Sequence, residues 1–121
     1  MNDFIKFNLN EKLNKSLKNI NFKIPTSIQA ESIPLVLGGK DILGSAQTGT
    51  GKTAAFCIPM IELLLRSSKG SALIMIPTRE LAKQVLDVVH SLLGFKSPIN
   101  TVSLIGGESM SKQLSLLKRR P

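Results

Sequence analysis

The sequence has few of the side chains on which several classes of protein depend. Its 121 residues include no Trp, no Tyr and five Phe, so aromatic platforms for stacked bases are scarce. The single cysteine, Cys57, excludes a disulfide framework and a cysteine-based zinc site, and it is typical of a reducing compartment. No apolar run reaches the roughly 18 residues that cross a bilayer, and the polar N-terminus does not resemble a signal peptide. We therefore expect a cytoplasmic location, no membrane partner and no disulfide partner.

Acidic residues are also scarce, with 8 Asp and Glu against 16 Lys and Arg, which gives a formal net charge of +8. This balance favours a polyanionic partner such as nucleic acid, anionic lipid or a nucleotide. Scattered lysines that only keep a small domain soluble would explain it equally well. Charge therefore indicates a class of partner and does not decide it.

Before residue 41 the spacing of apolar residues is helical. In "NLNEKLNKSLKNI" the residues Leu9, Leu13, Leu17 and Ile20 fall on one face, and Asn10 is a candidate N-cap. A second helix is predicted from Thr26 to a stop at Gly38 and Gly39, with Pro34 breaking or restarting it. We assign residues 1–37 to this helical N-terminal region.

From residue 41 short apolar runs alternate with helical stretches. The runs "DILGS" (41–45), "SALIMI" (71–76) and "TVSLI" (101–105) predict strands, and the second reads as buried on both faces. Helices are predicted from about Lys52 to Arg66, in "PTRELAKQVLDVVHSLL", and in "ESMSKQLSLLKRR". The order predicts an α/β fold over residues 38–121, in which helices flank a parallel sheet with right-handed crossovers.

The stretch "AQTGTGKT" (46–53) nearly spells a phosphate-binding loop, although Ala46 stands where the usual signature has glycine. Glycines at 49 and 51 permit positive φ and close approach, and the following helix adds free N–H groups. Lys52 would reach the β- and γ-phosphates, and Thr53 would ligate Mg²⁺. The alternative is a glycine-rich turn with a chance Gly-Lys-Thr. We predict a nucleotide triphosphate site formed by Ala46, Gln47, Thr48, Gly49, Thr50, Gly51, Lys52 and Thr53.

Gln29, in "PTSIQ" upstream of the loop, has two readings. Its amide can accept a hydrogen bond from adenine N6 and donate one to N7. Thr26 to Gln29 also fits a capping box, in which Gln29 folds back on the start of its own helix. Local sequence favours the capping box, and one residue could serve both purposes.

The order and spacing of five elements resemble the N-terminal half of the first RecA-like domain of a DEAD-box ATP-dependent RNA helicase. These elements are Phe4, "NFKIPTSIQ", "AQTGTGKT", "PTRELA" and "GG". The resemblance implies a partial RecA-like P-loop NTPase fold, with ATP and Mg²⁺ as cofactors and RNA as partner. It implies that Gln29 reads adenine, that Phe4 packs near the base, and that Lys52 and Thr53 are catalytic. Asn21 replaces the family's usual glycine, and we expect it to adopt the left-handed conformation.

The resemblance also assigns two segments to the RNA backbone. They are Pro77, Thr78 and Arg79 in "PTRELA", and the pair Gly106 and Gly107. An anion site is reasonable at the start of a helix that follows a strand. The alternatives are that Glu80 pairs with Arg79 or Lys83, and that the two glycines form only a turn.

After Gly107 the sequence contains no D-E-A-D box, no T-P-G-R, no S-A-T and no second RecA-like domain. The resemblance implies that hydrolysis and unwinding need these parts, so we expect the 121 residues alone to do neither, and to be marginally stable with uncovered apolar faces. One alternative is a remnant that at most binds ATP or RNA weakly. Another alternative is a P-loop protein for a different nucleotide.

We assign no chemical role to His90, Cys57 or Pro59, and Pro59 predicts a bend in its helix.

Overall fold

The structure, a computed structural model, describes residues 3–49, 51–67 and 69–121. The regular secondary structure of these residues is helical. The bounds of the helices agree closely with the predicted helices. A 3₁₀ turn at Asp3–Phe7 is followed by α1 (Glu11–Asn19), α2 (Ser27–Leu37), α3 (Lys52–Arg66), α4 (Arg79–Leu93) and α5 (Met110–Leu117).

The caps explain why the helices begin and end where they do. The Asn10 side chain accepts a hydrogen bond from the Lys12 backbone N–H at 2.9 Å, which confirms Asn10 as the N-cap of α1. Gly38 closes α2 as predicted. Asn21 has a φ of 61°, so the asparagine does adopt the left-handed conformation.

The prediction that Pro34 interrupts α2 is wrong, because the helix runs unbroken from Ser27 to Leu37. A proline inside a helix removes one backbone hydrogen bond and costs about 3 kcal/mol. The packing of α2 against α3 offsets that cost, since Ile33 beside the proline is fully buried. The Pro34 carbonyl still accepts from the Gly38 N–H at 3.0 Å, which closes the helix. Helix α3 likewise continues through Pro59.

The core lies where α2 and α4 pack on α3, with α1 against α3 and α4. The N-terminal helices and the helix after the phosphate loop therefore share one apolar interior. Burial of this surface is the main stabilising term of the fold. The largest apolar side chains without exposed surface are Phe4, Leu13, Leu17, Ile33, Ile58, Ile61 and Leu92.

A buried carboxylate joins the start of α1 to α3. Glu62 is 2% exposed and accepts hydrogen bonds from the backbone N–H of Asn10 and, at 3.0 Å, from Arg66 Nε. The Glu62–Arg66 contact is the one ion pair among the described residues. Because a buried charge must be paired to be tolerated, these two donors explain why a glutamate fits this position.

The three predicted strands are not formed in the described residues, so a parallel sheet is not observed. Segments 41–45, 71–76 and 101–105 adopt neither helix nor strand, and no backbone hydrogen bond joins them. "SALIMI" is also not buried on both faces: Ile74 and Ile76 pack partly against the core, whereas Leu73 is 84% and Met75 86% exposed. The alternation shows an extended segment covered on one face. The physical reason is that an interior strand needs paired neighbours and helices over both faces.

Candidate functional site

The phosphate loop has the backbone that anion binding requires. Gly49 and Gly51 both have a φ of +84°, a conformation that side chains disfavour. Gly51 is the N-cap of α3, which begins at Lys52, so the unpaired N–H groups of the first helical turn lie at the end of the loop. Thr50, also predicted to bind nucleotide, lies outside the described residues.

Lys52 closes the loop on itself. Its ammonium donates a hydrogen bond to the backbone carbonyl of Ala46, at the opposite end of the loop, and the side chain is exposed. Ala46 therefore takes part through its backbone carbonyl, a group that a residue of any type supplies. A phosphate group entering the loop would compete for the same ammonium.

Gln29 joins α2 to the phosphate loop. Its Oε1 accepts a hydrogen bond from the Thr26 backbone N–H at 2.9 Å, so the capping box is formed as local sequence predicted. Its Nε2 donates to the Gly51 carbonyl at 3.2 Å. Each bond uses only part of the amide, which leaves one acceptor lone pair and one N–H. Gln29 is 3% exposed, so a base could reach these remaining groups only if the side chain became more accessible.

Phe4 lies inside the protein. Its ring contacts Phe7 edge-on at a centroid distance of 5.9 Å and stacks on Phe22 at 6.1 Å. The Asp3 N–H donates to the Lys23 carbonyl at 2.8 Å and so fixes this segment against the loop before α2. The ring has no exposed surface and packs in the core, so contact with a base would require it to become accessible.

A cleft of about 800 Å³ extends from the phosphate loop to the segment after α3. Its lining includes Lys52 and Thr53, apolar side chains such as Ile42, Ile74 and Ile76, and the polar residues Ser32, Lys40 and Asp41. The cleft therefore lies between the exposed, unpaired segments 41–45 and 71–76.

The donor set suits magnesium bound through a nucleotide. Among the residues that the structure describes, no three His, Cys, Asp or Glu side chains come together to hold a metal ion. Mg²⁺ at nucleotide sites keeps several waters and binds phosphate oxygens, so it needs few protein ligands. The half-buried Thr53 can supply one hydroxyl beside Lys52.

The residues predicted to bind RNA come together although they are far apart in sequence. Arg79 Nη2 donates a 2.6 Å hydrogen bond to the Gly106 carbonyl. Gly107 has a φ of +87°, and a Cβ there would lie 3.0 Å from Arg79 Nη2. Thr78 caps α4 by accepting from the Leu81 N–H at 3.2 Å, and Pro77 lies just before it, exposed. Arg79 thus contacts the glycine turn, and no ion pair with Glu80 forms.

Sequence reasoning missed Gln113 of α5, whose side chain holds the residues on both sides of the glycine turn. The signal available was a single amide six residues after Gly107, within the helix predicted in "ESMSKQLSLLKRR". Helical periodicity alone does not distinguish it from a solvated polar residue.

The sequence assigns no chemical role to Cys57 and His90, and we assign them none from the structure. Cys57 is buried in α3, and burial raises the pKa of its thiol to about 12. His90 Nε2 lies 3.0 Å from Thr101 Oγ1 beside a separate cavity of about 460 Å³.

The sequence profile of the DEAD/DEAH box helicases matches residues 26–121 of the chain. The chain belongs to this family. The matched range includes α2 with Gln29, the phosphate loop, Arg79 and the glycine turn. No helix of the described residues is long and apolar enough to span a membrane.

Relatives of this DEAD-box chain are much longer than it is. It is 48% identical to the ATP-dependent RNA helicase DRS1 of Lodderomyces elongisporus, over 98% of this chain and 18% of that protein. It is 44% identical to the ATP-dependent RNA helicase CshA of Listeria monocytogenes, over 100% of this chain and 23% of that protein. The chain therefore spans about a fifth of the length of these relatives.

Solved structures of DEAD-box proteins share its fold. A DEAD box protein from Methanococcus jannaschii superposes with a TM-score of 0.79 at 40% identity, over 91% of this chain and 30% of that one. The RNA helicase Prp28 of Chaetomium thermophilum, bound to ADP, gives 0.75 at 34% identity, over 93% and 28%. The described helices thus have the arrangement of part of a DEAD-box RecA-like domain.

Proposed function

We propose that this chain is the ATP- and RNA-binding N-terminal portion of an ATP-dependent RNA helicase. The observation that supports the proposal best is the hydrogen bond of Gln29 to Gly51, because it joins the candidate adenine reader to the candidate phosphate loop. The names of the helicase relatives and the ADP-bound relative support the same assignment.

ATP would bind with its phosphates in the loop of residues 46–53. Lys52 would exchange its bond to the Ala46 carbonyl for the β- and γ-phosphates, and the N–H groups at the start of α3 would hold phosphate oxygens. Thr53 would place its hydroxyl on Mg²⁺, which supplies charge neutralisation at the transferring phosphoryl group. Lys52 and Thr53 are thus the proposed catalytic residues.

RNA would bind through its backbone at Pro77, Thr78, Arg79, Gly106 and Gly107. Arg79 uses one N–H on the Gly106 carbonyl, so most of its five donors remain for a phosphate. The start of α4 adds backbone N–H groups and a positive dipole end. Phosphate contacts of this kind fix position and carry no sequence information, so sequence-independent binding follows.

The parallel sheet is also part of the proposal. Segments 41–45, 71–76 and 101–105 would become strands when further strands enter the cleft between the first two. Residues 1–37 would form the region that reads the base, and residues 38–121 would form part of a RecA-like domain.

Because the 121 residues contain no D-E-A-D box, we propose that they bind ATP without hydrolysing it, and that the remaining helicase core is needed for activity. A cytoplasmic location completes the proposal.

Competition between nucleotides tests the assignment of Gln29. ATP should displace a fluorescent ATP analogue from the chain at a concentration about tenfold lower than GTP, because a bidentate amide contact discriminates by about 1–3 kcal/mol. Gln29→Ala should remove this preference, whereas Gln84→Ala, an exposed position on α4, should retain it. Equal displacement by ATP and GTP from the unaltered chain would contradict adenine recognition.

A further inference from the structure

The carboxamide of Gln113 holds the glycine turn from both sides. Its Oε1 accepts a hydrogen bond from the Ile105 N–H at 2.9 Å, and its Nε2 donates to the Ile105 carbonyl at 3.2 Å. The same Nε2 donates to the Glu108 carbonyl at 3.3 Å. Ile105 precedes the two glycines and Glu108 follows them, so one side chain fixes the entrance and the exit of the turn.

The bonds to Ile105 reproduce the pairing that a neighbouring strand would supply. Segment 101–105 has no backbone partner in the described residues, so its last residue would otherwise leave an N–H and a carbonyl unpaired. Gln113 satisfies both groups. Its own position is set by α5, where its backbone N–H donates to the carbonyl of the N-cap Ser109 at 3.1 Å.

Arg79 holds the same turn from the other side. Its bond to the Gly106 carbonyl comes from the first residue of α4, whereas the bonds of Gln113 come from α5. Gly107, with a φ of +87°, lies between these two supports. A glycine turn has few conformational restraints of its own, so the two side chains decide which way its backbone groups face.

We propose that Gln113 is the positioning residue of the RNA-backbone site. It fixes the Gly106–Gly107 turn against Arg79 so that the turn and the guanidinium meet one RNA phosphate in a prearranged geometry. This inference rests on the proposed function, because it takes the turn to be an RNA contact. Gln113 acts through the turn and does not touch RNA itself.

Glutamine is required because the site needs a donor and an acceptor at once. A leucine of similar size offers neither. An ionised glutamate can accept from Ile105 N–H, but it would face the carbonyls of Ile105 and Glu108 with negative charge. A protonated glutamate has one O–H and one acceptor oxygen, so it can restore the paired bonds to Ile105. Gln113→Glu should therefore recover as pH falls, a response that loss of packing would not produce.

The test combines NMR of the turn with RNA binding, using the complete 121-residue chain and a fluorescein-labelled oligouridine. In Gln113→Leu the amide resonances of Gly106 and Gly107 should shift, and RNA affinity should fall about tenfold. In Gln113→Glu the affinity relative to the unaltered chain should be low at about pH 8 and should recover as the pH falls towards the ordinary glutamate pKa of about 4.3. Gln84→Glu makes the same change at an exposed site and should show no such recovery.

The outcomes separate this inference from the proposed function. Glycine resonances that stay in place in Gln113→Leu, or a Gln113→Glu affinity ratio that does not change with pH, would overturn the positioning role. Shifted resonances with unchanged RNA affinity would show that the turn is not an RNA contact, which overturns the functional role of Gln113 and the RNA assignment of the turn together. ATP binding by Lys52 would be unaffected in either case.

Discussion

Gln29 Nε2 donates a hydrogen bond to the carbonyl of Gly51, 3.2 Å away and 22 positions later in the sequence. The same amide accepts from the backbone N–H of Thr26 at 2.9 Å. One buried side chain thus caps α2 and holds the phosphate loop at Gly51, the N-cap of α3. A change at Gln29 should therefore alter both the start of α2 and the backbone at Gly51.

The close contact between Gln29 and Gly51 predicts that two glycines of the same loop, Gly49 and Gly51, differ in how well they tolerate substitution by alanine. A Cβ at Gly51 would lie 2.4 Å from Gln29 Nε2, whereas one at Gly49 would meet nothing within 4 Å. Both have a φ of +84°, so the backbone cost of alanine, about 1–2 kcal/mol, is shared. We expect Gly51→Ala to weaken binding of a fluorescent ATP analogue about tenfold more than Gly49→Ala. Equal losses in the two variants would show that the Gln29 contact is unimportant.

The contact of Arg79 with the glycine turn predicts a salt-dependent loss of RNA binding. Arg79→Ala should weaken binding of oligouridine and lower the slope of log affinity against log salt by about one, since each phosphate contact releases about one counterion. Lys83→Ala removes the same charge from an exposed position on α4 and serves as the control. A slope that falls equally in both variants would mean that Arg79 acts only through net charge.

Burial of Cys57 predicts a loss of stability at high pH. The folded thiol has its pKa raised to about 12 by burial, against 9.0 without burial. Above about pH 9 the unfolded chain ionises first, so the stabilising contribution is complete below that pH and is lost as pH rises towards 12. Relative to Cys57→Ala, the unaltered chain should lose about 2 kcal/mol of unfolding free energy between about pH 8 and about pH 10.5. Parallel pH profiles for the two proteins would refute this.

Local sequence predicted the helices and their caps because the signals that set them are local. Apolar spacing and the Asn10 cap gave α1, and the glycine-rich loop fixed the start of α3 at Lys52. The capping role of Gln29 followed from Thr26 in the same way. The prediction at Pro34 failed because burial of its neighbours, which depends on α3, outweighed the local cost.

The structural features that could not be predicted from the sequence depend on contacts between residues far apart in the chain. Strand formation at "SALIMI" needs partners on both sides, and the described residues leave Leu73 and Met75 exposed. Nothing in the local sequence marks Glu62 for burial, yet it is buried and accepts a hydrogen bond from a backbone N–H 52 positions away. Gln113 gave no periodic signal, since its role depends on one carboxamide that matches the backbone of Ile105, eight positions earlier and just before the glycine turn.

Nucleotide affinity of the Lys52→Ala variant tests the central claim most directly. Titration of a fluorescent ATP analogue with Mg²⁺ should give saturable binding to the unaltered chain and none to Lys52→Ala, because the ammonium that now contacts the Ala46 carbonyl is the cation for the phosphates. Lys69→Ala, which removes an exposed lysine from the loop after α3, should bind as the unaltered chain does. Unchanged binding by Lys52→Ala would contradict the account, since the loop of residues 46–53 would then not be the nucleotide site.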